Sequence, residues 1–242
     1  GSLGGPCALE GAAAAEGPSH SIVFLLPGAG EAARSRLRSS VFERAANSVA
    51  SCPDVDWHCL SWPATPPPLG VDRAVQHVLQ QSVEAISKKR AEASELGERP
   101  GRIQVFLIGH SFGGAVATQA ACELTRVFGT FGTGASVSIE GLCVIDTVPH
   151  EDRGALELDL LQHARVLLIA SHGLAEGVAR PTNTATRELY GAVPATRKEM
   201  LLLPRNERIS DWQLLLRLTD FVLRGHFEDA ERAEAPRPKA TV

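Results

Sequence analysis

The sequence predicts an α/β fold, a doubly wound and mainly parallel sheet with helices on both faces. Two observations predict it. Six apolar runs have strand length, and several are nearly continuous β-branched residues and Leu, as in strands covered on both sides. Stretches of helical length separate these runs, so strand and helix alternate along the chain. Parallel neighbours joined in this way need crossovers, and those are right-handed.

The elements follow in order. Residues 1–19 are rich in Gly, Ala and Pro and are expected to form a flexible arm. The strands are expected at 21–26, 55–60, 103–108, 141–145, 166–170 and 199–203. The helices are expected at 31–50, 71–95, 113–128, 153–163, 183–190 and 210–224. In the last helix Trp212, Leu215, Leu216, Leu218, Phe221 and Val222 recur at helical spacing. Two connections stand out. Residues 62–70 carry Pro63, Pro66, Pro67 and Pro68 and read as a stiff extended link. Residues 128–138 are rich in Gly, Thr and Ser and read as mobile. Residues 231–242 mix charge, Pro and Ala and read as a loose tail. One domain is therefore expected over 20–230.

Composition narrows the function. The 242 residues are 44% hydrophobic and 21% charged, with a formal net charge of −4. That is ordinary for a globular protein, and with no basic stripe it excludes nucleic acid as a partner. No apolar run reaches the ~18–20 residues of a membrane span. The five cysteines, Cys7, Cys52, Cys59, Cys122 and Cys143, form no CxxC pair and no metal-ligand spacing, so neither metal nor cofactor is expected. Their odd number argues for a reducing compartment. Met200 is the only methionine, so a targeting segment preceding the chain stays open; the cytoplasm or an organelle lumen is expected.

The chemistry concentrates where the 103–108 run enters Gly109-His110-Ser111-Phe112-Gly113-Gly114 and then a helix of small residues. This is G-x-S-x-G between a strand and a helix. Ser111 must turn sharply with φ > 0, glycines two residues to either side leave room, and Gly114 lets the helix pack close. The helix N-terminus then aims its free N–H groups at the reacting centre. A second motif, Pro27-Gly28-Ala29-Gly30, follows the first strand directly. A tetrahedral acyl intermediate needs two N–H donors for its oxyanion. Phe112 is expected to supply one and the Gly28–Ala29 loop the other, most directly through Ala29.

Gly28 after the first strand, the GHSFGG turn, Asp146 at a strand end and the late strand–helix pair together resemble the α/β-hydrolase family, over about residues 21 to 224. The resemblance implies a Ser–His–acid triad acting on esters, thioesters, amides or related substrates through an acyl-enzyme. Only about 18 residues separate Asp146 from the next strand, so no large cap domain is expected there.

The triad partners depart from the family pattern. Asp146 fits the acid position used by a minority of members, and it also reads as a turn or cap residue. After the next strand, Glu176 in 170–176 is the alternative acid. The family places its histidine after the last strand, but residues 203–208 hold none, and His226 follows a helix expected to point away. His172, just past the 166–170 strand, is the best substitute base. Two readings stay open. In one, Ser111, His172 and Asp146 hydrolyse a small-molecule carboxylic ester or thioester. In the other, the fold has lost catalysis and serves as a binding or assembly module for a protein partner.

Overall fold

The computed structural model describes residues 19–29, 52, 54–62, 70–97, 101–128, 136–149, 156–170, 181–202 and 210–234, with 181–183, 211 and 225–234 described by backbone alone. Six strands form one sheet: β1 (His20–Leu26), β2 (Val55–Cys59), β3 (Ile103–His110), β4 (Val137–Ile145), β5 (Arg165–Ala170) and β6 (Arg197–Leu202). Their order is β2-β1-β3-β4-β5-β6, and each neighbouring pair is parallel. Four helices accompany them: α1 (Val71–Glu95), α2 (Phe112–Phe128), α3 (Pro181–Ala192) and α4 (Asp211–Glu234). The expected doubly wound parallel sheet is therefore observed, with β3, the strand that leads into Ser111, inside it.

Side-chain alternation divides the core between the two faces. Ile22, Phe24 and Leu26 of β1 pack with α1, α2 and α3, whereas Val23 and Leu25 pack with Leu214, Leu218, Phe221 and Val222 of α4. All eight residues of β3 are buried, which explains why its 103–108 run is mostly apolar rather than alternating; Gln104, the polar exception in that run, accepts from the Ser21 hydroxyl. The order reverses beside β3: the chain goes from β1 outward to β2, then returns to β3 and builds the other way. In open α/β sheets, ligands bind in the crevice at the carboxyl ends of strands where the order reverses.

Several boundaries differ from expectation. β4 starts at Val137, not 141, so residues expected in a mobile loop are strand. The polar Ser138 and Glu140 hid it from the apolar pattern, but both are buried and partnered. Arg102 donates to Ser138 Oγ at 3.2 Å, and Arg197 Nη2 to Glu140 Oε1 at 3.0 Å. Register passes from Val105↔Ile139 to Phe106↔Gly141, so Glu140 is the extra residue of a bulge. Helix α4 continues to Glu234, through His226 and into the expected tail. Within α4, Leu214 is buried, whereas Trp212 and Leu216 are 63% and 51% exposed. At about 100° per residue they rotate off the stripe formed by Leu214, Leu218 and Phe221. Of the 153–163 stretch, residues 156–163 are described, and the helical part of these is one 3-10 turn, Leu158–Leu161. The 31–50 helix, the N-terminal arm up to residue 18, prolines 63–68 and residues 235–242 lie outside the described residues. No described helix is long and apolar enough to cross a membrane.

Candidate active site

β3 delivers the chain to the carboxyl edge between β1 and β4. There Ser111 has φ 55°, and α2 begins at the next residue. The turn is held on three sides. Ser111 N–H donates to Ile145 O at 2.9 Å, and Ser111 O accepts from Gly114 N–H at 2.9 Å and Val148 N–H at 3.4 Å. The flanking glycines are required by contact with backbone. A Cβ on Gly109 would lie 2.1 Å from Gly113 O, and one on Gly113 would lie 2.1 Å from Leu26 O. Gly114 sits against Thr147 and Val144, where a Cβ would have 3.1 Å. No acidic residue occupies the first turn of α2, so nothing in that turn offsets its positive end.

The Gly113 contact also brings the first loop to the turn, because the same Cβ would lie 2.6 Å from Pro27 O. Pro27 and Gly28 are buried, and Ala29 is exposed at the rim. Trp62, beyond the end of β2, secures this loop. Its Nε1–H donates to Pro27 O at 2.8 Å, and its ring meets Phe112 edge-on with centroids 5.7 Å apart.

Asp146 stands next to the turn, since the carbonyl that Ser111 bonds belongs to the residue just before it. It is 5% exposed, has φ 46°, and donates its N–H to Ile169 O at 2.9 Å. The following residue, Thr147, donates its N–H to Thr186 Oγ1 of α3 at 3.2 Å, which ties this edge to that helix. The structure therefore brings Ser111, Phe112 and Asp146 together, and the loop that carries Gly28 and Ala29 reaches the turn through Pro27. His172 and Glu176, as well as His150, lie outside the described residues. Two buried cysteine thiols can be compared with Ser111 as nucleophiles. Burial pushes the Cys122 thiol up to about 12 and raises that of Cys143 as well, so both stay protonated at neutral pH.

Residues 22–241 match the model of the alpha/beta hydrolase family. The chain belongs to that family. A search of curated proteins finds no match. Among solved structures, a variant of SOBER1 from Arabidopsis thaliana is 14% identical, with 86% of this chain and 99% of that one covered and a TM-score of 0.50. XC6422 from Xanthomonas campestris, described as a serine hydrolase without lid, is 13% identical over 92% of this chain and 86% of its own, with a TM-score of 0.49. An esterase from Thermogutta terrifontis, with propionate bound, is 16% identical over 91% and 86%, with a TM-score of 0.48. At these identities the likeness is one of fold.

This alpha/beta hydrolase has site neighbours that sequence reading did not single out. Trp62 had one signal, an aromatic residue just past a strand end on the catalytic edge. Thr186 had none, because its pairing with Thr147 spans 39 positions and depends on how α3 docks.

Proposed function

We propose that this alpha/beta hydrolase is a serine hydrolase that cleaves a small-molecule carboxylic ester or thioester. The observation that carries the reading is Ser111 at positive φ in a strand-to-helix turn, with the first loop pressed against that turn. In this reading Ser111 Oγ attacks the acyl carbon and its proton passes to His172. The oxyanion is held by the N–H groups of Phe112 and Ala29, with Gly28 shaping the loop. Asp146, or Glu176 in its place, orients the imidazole. Collapse of the tetrahedral intermediate expels an alcohol or thiol, which takes the proton. Water, deprotonated by the same base, then releases the acid and frees Ser111. The close packing of Gly113 on Leu26 and Pro27 supports the oxyanion assignment, because both donors then sit on segments in contact.

A second reading, a non-catalytic member acting as a binding or assembly module, is favoured by the lack of histidine in residues 203–208. An unassisted serine hydroxyl is a weak nucleophile at neutral pH. A fluorophosphonate probe separates the two. The hydrolase reading expects phosphonylation of the peptide bearing Ser111, turnover of short acyl esters, and loss of both in Ser111→Ala. His172→Ala should lower turnover about as much as Ser111→Ala, because triad members act as a unit. Turnover unchanged in His172→Ala removes the displaced base. No labelling and no turnover by the intact protein leaves the module reading.

A further inference from the structure

We infer that Trp62 is a positioning residue that sets the oxyanion site by holding both of its donor segments at once. The inference rests on the serine hydrolase reading above. Trp62 comes from the far side of β1, carried by β2, whose end is tied to β1 by Leu60 N–H donating to Leu25 O at 3.0 Å. Its side chain is only 7% exposed. From that position it makes two contacts of different kind, and each bears on one donor.

The first contact is the hydrogen bond from Nε1–H to Pro27 O at 2.8 Å. A peptide unit is planar, with its C=O and N–H on opposite sides. Pinning Pro27 O therefore fixes the direction of Gly28 N–H and the plane from which the next peptide departs. That next peptide carries Ala29 N–H, the proposed donor. Gly28 has no Cβ to restrict it, so without this anchor the Gly28–Ala29 unit could swing through many orientations. The second contact is the edge-on packing of Trp62 on Phe112, with rings 5.7 Å apart and 87° between their planes. Phe112 carries the other proposed donor N–H. Arrangements of this kind are favoured by the aromatic quadrupole, so the ring opposes sideways movement of Phe112.

Preorganised donors stabilise the developing oxyanion because they need not reorient during reaction. Loosening them slows the chemical step while leaving ground-state binding alone. This distinguishes positioning from packing.

The test uses the full chain and short p-nitrophenyl esters. In Trp62→Phe the ring contact stays and the N–H is lost. We expect kcat to fall about 10- to 100-fold, no more than the loss of one oxyanion donor, with KM within a factor of about two. Phosphonylation of Ser111 should slow similarly, because the phosphonyl oxygen occupies the same hole. Trp62→His restores a ring N–H donor and should recover part of kcat. Glu140→Gln, destabilising but distant from the edge, serves as the control. Equal loss of kcat in that control at matched melting temperature would show that Trp62 acts only through stability and would overturn the inference. So would wild-type kcat in Trp62→Phe. If Trp62→Phe does not fold, 5-fluorotryptophan labelling of the native sequence substitutes. Phosphonylation at Ser111 should then shift the Trp62 fluorine resonance and leave that of exposed Trp212 unmoved; no shift overturns the inference. If the wild-type chain neither turns over esters nor takes the probe, the hydrolase reading fails and this inference with it. If the wild type reacts and Trp62→Phe matches it, this inference alone fails.

Discussion

Ser111 and Asp146 are the two described non-glycine residues with positive φ, at 55° and 46°. Each such conformation costs about 1–3 kcal/mol and persists only where its surroundings enforce it. Here the enforcement passes from strand to strand, because Ser111 N–H bonds Ile145 O at the end of β4, and Asp146 N–H, next in the chain, bonds Ile169 O of β5. Ser111→Gly should therefore raise stability by about 1 kcal/mol in urea melts while abolishing probe uptake, since Gly adopts this φ without strain. Gly113→Ala should do the reverse, lowering stability by about 2–3 kcal/mol, because its Cβ meets the backbone of Leu26 and the strain has no flexible partner to absorb it. Equal melts for Gly113→Ala and wild type would contradict the packing described. At this scale Ser111 was legible in the sequence because its geometry is dictated by glycines within two positions. Trp62 was not assigned a role because its partner, Pro27, lies 35 positions away.

Among the elements, β4 shows how a buried charge can hide a strand. Glu140 is fully buried at the bulge between β3 and β4, and its carboxylate takes Arg197 of β6, two strands away. Gly141 follows because a Cβ there would lie 2.5 Å from the Phe106 ring, which itself packs edge-on against Phe221 of α4. Glu140→Ala should cost about 3 kcal/mol, because it leaves the Arg197 guanidinium partly buried without its carboxylate. Glu140→Ala, Arg197→Met and the double variant in urea would measure this, and a double variant less stable than Glu140→Ala would refute it. The same pair explains why sequence pattern placed β4 four residues late. An apolar-run criterion stops at a glutamate, whereas the fold admits it once a cation from another strand arrives. Helix α4 was underestimated for a different reason: past Arg224 no further apolar stripe marks the helix, so periodicity stops before the backbone does.

For the whole molecule, strand order was legible only as a class. Alternating strands and helices gave the parallel, doubly wound sheet, but the site at the reversal beside β3 emerges from β1 pairing outward to β2 and inward to β3. Global stability should carry a pH signature from His58 on the β2 edge. Burial lowers its pKa below 6.5, opposed by Asp56 and reinforced by Lys88 and Lys89. Below that value the unfolded chain binds more protons than the folded one, so stability should fall as pH drops through and below 6.5. His58→Phe keeps the stacking on Phe24 and removes the titration, so its melting temperature should fall less between about pH 7 and 5. Identical pH slopes in the two proteins would remove His58 as the source. The strand order also sets a timetable for synthesis. β1 is bracketed by β2 and β3, and its Ser21 hydroxyl donates to Gln104, 83 positions later. At roughly 5–20 residues per second, a ribosome needs several seconds to cover that distance. For that interval an almost wholly apolar strand is outside the ribosome with its inner edge unmatched, and the crevice beside Ser111 does not yet exist. Each new molecule therefore passes through a stage in which this apolar segment waits for the strand that leads into the serine.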